Sequence, residues 1–141
     1  MTLQQPLSYS ESRKTGEFIV SEGHGRISRD ATNLEIGHAL QDGTVLKYHS
    51  HTDGNELAPL ALTDFDTGGA LLSTVTIAGI LLGPHDSSND ATGQNAEIAG
   101  VPYISRLAEV NGALLIYPSG ISATEQAAVV AALAKSFIIV R

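Results

Sequence analysis

Turn-forming dipeptides punctuate this chain at intervals too short for long helices. Asp42-Gly43, Asp53-Gly54, Gly68-Gly69, Gly83-Pro84 and Asn111-Gly112 each signal a reversal. Between and beside them lie short β-favouring runs at 33–36, 44–48, 74–82, 101–108 and 113–117. Frequent glycine and sparse charge point the same way, to a turn-rich β fold. Asn111-Gly112, set between Glu109-Val110 and the apolar run 113–116, predicts a tight hairpin. Residues 86–100, rich in Ser, Asn, Asp and Gly, read as an exposed loop.

One helix is signalled. Ser122 and Glu125 have capping-box spacing, in which each side chain satisfies the other's free backbone amide. Good helix formers follow over 126–136, with Val129, Val130, Leu133 and Phe137 near one face and mostly alanine opposite. A strand over 137–140 is expected to close the chain against the sheet. The fold class is therefore mainly β with one C-terminal α-helix.

The N-terminus is different in kind. Residues 1–16 are polar, with Leu3, Leu7 and Tyr9 scattered among Gln, Ser, Glu, Arg and Lys. They are followed by a strand-like apolar burst, Glu17, Phe18, Ile19, Val20 and Ser21. An isolated strand leaves its backbone donors and acceptors unpaired, so this one must pair with the body or with another chain. Charge divides at the same place. Residues 1–30 carry four bases and four acids, so the body accounts for the whole net charge of −7. This organisation predicts an extended arm over 1–30 and a β-rich body over 31–141.

So acidic a body repels phosphates, and no direct nucleic-acid partner is expected. No run reaches the length of a membrane span and no secretory leader is visible, so no membrane partner is expected either. The 141 residues suffice for one core, which without cysteine rests on packing alone.

The sharpest catalytic candidate is His49-Ser50-His51, where alternate side chains on a strand could share a metal, with Asp53 next in line. The spacing from Gly43 through His49, His51 and Glu56, with His85 later, partly matches the cupin motifs. The glycine that should close the first motif is Thr63, however, and the Pro-x-Gly expected before His85 is absent. Residues 51–55 read more simply as a turn. Asp64 and Asp66 would share a strand face around Phe65, but a solvated turn before Gly68-Gly69 explains them as well. No nucleophile elbow, cysteine nucleophile or phosphate loop is recognisable. No catalytic, cofactor-binding or metal residue is assigned, and the chain is not expected to be an enzyme. Arg106, on a strand over 101–108, would point with Ile104 and Ala108. A charge there asks for a carboxylate, and a neighbouring subunit in a homo-oligomer is one natural source. An exposed arginine on the outer sheet face is the plainer alternative.

Several segments in order resemble the phage head decoration protein D family, the lambda type. They are Gly16-Glu17-Phe18-Ile19-Val20-Ser21-Glu22 with Ser28-Arg29-Asp30, then Gly37-His38-Ala39-Leu40-Gln41-Asp42-Gly43-Thr44-Val45-Leu46. Next come Ala78-Gly79-Ile80-Leu81-Leu82, Ile104-Ser105-Arg106-Leu107-Ala108-Glu109-Val110, and the ending Phe137-Ile138-Ile139-Val140-Arg141. The resemblance implies a non-enzymatic capsid cement protein with a β-clip-like body and no cofactor. It implies homotrimers on the outer surface of the expanded head, at threefold sites, clamping major capsid subunits against internal DNA pressure. The protein would be made in the host cytoplasm and reside on the virion. In the family the N-terminal arm orders on the capsid by adding a strand, a role that falls here on residues up to Ser21, with Arg106 a trimer-contact candidate. The chain departs from the lambda member by extra length around 53–73 and 86–100. A small cupin-like metal protein is the alternative, and a trimeric β-clip nucleotide hydrolase a remoter one.

Overall fold

The short runs become ten strands among the described residues, which in this computed structural model are 14–51, 54–88 and 98–141. In chain order they are β1 (Ile19–Glu22), the single-turn helix α1 (Gly25–Ser28), β2 (Arg29–Leu34), β3 (Ala39–Leu40), β4 (Val45–His51) and β5 (Gly54–Pro59). Then follow β6 (Ile77–Leu81), β7 (His85–Asp86), β8 (Ile98–Ile104), β9 (Ala108–Val110), the helix α2 (Ala123–Lys135) and β10 (Ile138–Val140). The expected class holds: mainly β, with one long helix near the C-terminus.

Five strands close into a barrel in the order β2-β5-β4-β6-β8, and β3 pairs with β7 beside it. Leu34, Leu46, Leu57, Ala78, Leu81, Val101 and Tyr103, drawn from all five strands, pack into one cluster. Side chains alternate along a strand, so with Leu46 in this cluster Lys47 and His49 fall on the outer wall. Tyr48 also packs on the cluster, its hydroxyl 2.7 Å from that of Tyr103.

A second cluster lies between the barrel and a layer made of α2 and the three-stranded sheet β1-β9-β10. Phe18, Val45, Ile80, Ile104, Val110, Val129, Leu133 and Ile138 meet there. Strand β6 supplies both clusters, which is why its sequence is apolar throughout rather than alternating. It also passes close to β8: a Cβ on Gly79 (φ 149°) would stand 1.9 Å from the Ile104 carbonyl oxygen.

Helix α2 begins as read. Ser122 Oγ accepts from Glu125 N at 3.2 Å, and Glu125 carboxylate accepts from Ser122 N at 2.8 Å. Val129 and Leu133 are buried, but Phe137 is not on the helix face. It lies past the C-cap Ser136 with φ 59°, a turn that ends the helix and points its ring outward.

Three further expectations are corrected. Asn111-Gly112 makes no hairpin, because β9 is already paired with β1 on one side and β10 on the other. Asn111 Oδ1 instead accepts from Ala113 N and starts a 3₁₀ turn over Gly112–Leu114. Glycine is needed there because a Cβ would meet Val140 at 2.8 Å. Residues 113–117 contribute only an isolated bridge, Thr44 to Ile116. The run 101–108 breaks into β8 and β9, with Leu107 at φ 53° in the break.

The largest correction concerns the N-terminus. Strand β1 pairs with the body's own sheet, Ile19 opposite Val110 and Ser21 opposite Glu109, and Phe18 just before it is 0 % exposed. Strand β9 would otherwise have a free edge, and pairing within one chain avoids the entropy lost in association. Strand β2, a barrel wall, starts at Arg29, so from Lys14 onward the chain is body rather than arm.

Candidate functional site

One buried carboxylate, binding two glycine backbone N–H groups, anchors the first described residues to the body. Asp42, only 5 % exposed, sits in the Asp42-Gly43 turn. Its carboxylate accepts from Gly16 N at 2.9 and 3.1 Å and from Gly83 N at 2.7 Å. A turn from Lys14 to Glu17 follows, and Phe18 then plugs the core. Residues 1–13, to which the rest of the expected arm belongs, lie outside the described residues.

Beyond that anchor the sheet β1-β9-β10 presents its outer face. Ile27, Leu107, Phe137 and Ile139 are all exposed there, Phe137 at 68 %. With Ser21 and Glu109 they line a shallow groove of about 480 Å³. Leu107 and Phe137 both have positive φ, a conformation that side-chain-bearing residues adopt at a cost of order 1 kcal/mol or more. Strain that turns apolar side chains toward water marks a surface suited to a protein partner. Across the groove Glu109 bridges the strands, accepting from Ser21 Oγ at 3.1 Å and from Arg141 Nε at 3.1 Å. The Arg141 guanidinium, helped by Ser21, holds the Glu109 carboxyl below the usual range.

Arg106 stands beside this face but does not share the direction of Ile104 and Ala108, which are buried. The break at Ser105–Leu107 rotates it outward. Its carboxylate partner lies in the same chain: Arg106 Nη1 donates to Asp30 Oδ2 at 2.6 Å and to Ser105 Oγ at 2.8 Å. The Asp30 carboxyl is held below its ordinary value, chiefly by that bond.

The expected metal and acid clusters are rearranged. Antiparallel pairing sets His49 directly opposite Glu56, as the motif spacing allowed. His85 is not with them; it lies on β7, its Nδ1 3.1 Å from the Gly83 carbonyl oxygen. Of His51 only the backbone is described. Glu35, which no motif pointed to, completes the group: donor atoms of Glu35, His49 and Glu56 lie within 4.8 Å of one another. Asp64 and Asp66 do not form an acid pair. Asp64 is buried against Lys47 Nζ at 2.6 Å and caps a 3₁₀ turn through Ala61 N, while Asp66 accepts from Gly68 N and Ala70 N. Both carboxylates serve turns.

The features described are thus an anchored N-terminal segment, an edge strand and an apolar groove, the last two suited to holding protein surface. No helix among the described residues is long and apolar enough to cross a membrane. No curated protein and no solved structure matches the chain. Residues 8–138, nearly the whole chain, do match the model of a protein family, the bacteriophage lambda head decoration protein D. The chain therefore belongs to that family of structural phage capsid decoration proteins.

Proposed function

We propose that this protein binds the outside of the expanded phage head as a homotrimer at threefold sites and cements major capsid subunits against internal DNA pressure. The family match over residues 8–138 is the observation that carries this reading. The outer groove supports it: a second copy of the chain covers Ile27, Leu107, Phe137 and Ile139 in the trimer, with Arg106 at the margin of that contact. The capsid contact falls to residues 1–13, which precede in sequence the turn held by Asp42, and to the outward side of the Glu17–Ser21 segment. Strand β1 ends its sheet and carries the exposed Val20, so its outer edge can pair with a capsid strand. Main-chain bonds at such an edge give affinity, and three sites on one trimer multiply it.

Co-sedimentation with expanded and unexpanded shells tests the proposal. The full chain should pellet with expanded shells only, and failure to bind them would end the reading. Removing residues 1–13 should abolish binding and leave the fold intact. Removing 1–21 should also unfold the body, because it takes Phe18 out of the core.

A further inference from the structure

We propose that Glu35, His49 and Glu56 form a divalent-metal site on the outer wall of the barrel, with a zinc-like ion tying three separate elements together. The site is independent of the capsid reading. His49 comes from β4 and Glu56 from the opposing position of β5. Glu35 follows β2, and its backbone N–H donates to Leu57 O at 2.9 Å, which seats it beside Glu56. Three donors from three segments converge within 4.8 Å. Glu35 Oε1 and His49 Nδ1 already stand 2.8 Å apart. Two ligands of one zinc ion, each about 2.0–2.2 Å from it, lie roughly 3–3.5 Å apart in a tetrahedron. Glu35 and His49 are partly exposed and can move that little; Glu56, 7 % exposed, provides the fixed point.

The chemistry of the set selects the ion. One imidazole nitrogen and two carboxylates are borderline-to-hard donors, suited to Zn²⁺, Ni²⁺ or Mn²⁺ rather than to a soft ion. Two carboxylates close together in an acidic body gain from a double positive charge. Glu35 is also aimed. His38 Nε2 lies 2.9 Å from its second oxygen, leaving the first toward His49. The loop between them is pinned by the fully buried Ser87, whose hydroxyl donates to Glu35 O at 2.6 Å and accepts from His38 N at 3.1 Å. His38 thus acts as a positioning residue. Carboxylate and histidine ligands in metal sites are commonly oriented by such partners.

The experiment uses the full chain stripped with chelator and titrated with Zn²⁺, then with Ni²⁺ and Mn²⁺, by calorimetry and by elemental analysis after dialysis. Expected are one ion per chain and a rise in Tm that chelator reverses. His49→Ala, on a half-exposed side chain that should not disturb folding, should remove binding, as should Glu35→Gln. His38→Ala should weaken it by about tenfold or more without changing the stoichiometry. His85→Ala should leave it unchanged. Absence of saturable binding for all three ions, or zinc binding that survives His49→Ala, would overturn the proposal and leave Glu35 and His49 as a hydrogen-bonded pair. Capsid binding by chelated protein keeps this outcome separate from the decoration reading.

Discussion

The barrel and the three-stranded sheet deal with apolar surface in opposite ways. Barrel closure removes its strand edges, puts Leu34, Leu46, Leu57 and Val101 inside, and leaves Lys47, His49 and Glu35 on an outer side. The sheet β1-β9-β10 has two open edges and is apolar on both faces: Val110 and Ile138 face the core, and Phe137 and Ile139 face water. A chain that seals one unit so fully and leaves the other open presents there the kind of surface that suits a protein partner. Self-sufficiency and adhesion are divided between the two.

The division is broken most directly at Phe18, which comes from the adhesive end yet fills the shared core. Phe18→Ala should cost the free protein about 4 kcal/mol, from lost burial plus the cavity left behind. Urea denaturation of the free protein checks this, and a loss below about 1 kcal/mol would make β1 a detachable arm after all. Next in size is Gly79→Ala. The new methyl would collide with the Ile104 carbonyl and prise β6 from β8, at roughly 3 kcal/mol. That substitution strikes the sealed barrel, so the denaturation midpoint should fall while the outer groove keeps its composition.

Much of this was legible in the residues. The capping box of Ser122 and Glu125 is local chemistry and appears as read. The turn at Asp42-Gly43 was legible too, but not that its carboxylate would clamp Gly16 and Gly83, since those contacts span 26 and 41 residues. The pairing of Phe18 to Ser21 failed for the same reason. Whether an edge is free depends on where β9 and β10 lie, and local pattern carries no such information. In the Glu35, His49 and Glu56 cluster, His49 and Glu56 have a spacing that a hairpin explains. Glu35 reaches them only through barrel closure, which pairs Leu34 with Leu57.

Phe137→Asn sharpens the comparison from the adhesive side. The side chain is mostly exposed and its φ of 59° suits asparagine better than phenylalanine, so folding stability should change by less than about 0.5 kcal/mol. Association should not be spared. Light scattering after gel filtration should report the proposed trimer weakened or lost, and an intact trimer would place its interface away from the groove.

The smallest expected effect belongs to Arg106 and Asp30. Their side chains are 41 % and 43 % exposed, so solvent and salt screen the pair, and Arg106→Ala should leave the urea midpoint of the free protein where it was at pH 7. The pH dependence follows from the depressed Asp30 value. A carboxyl whose folded pKa lies below its unfolded value of about 3.9 stabilises fully above that value and loses its contribution as pH falls through the folded one. Between pH 8 and 5 the pair should therefore add nothing to the slope of stability against pH, and its small share should vanish only below about pH 4. What Arg106 does between copies is read separately. Trimer dissociation on dilution, compared for Arg106→Ala and Asp30→Asn, distinguishes an arginine that reaches across the interface from one that only braces its own chain. In the first case Arg106→Ala weakens the trimer and Asp30→Asn, which frees the guanidinium for the neighbour, does not. In the second neither substitution moves the dissociation curve, and the adhesive face would end at Leu107.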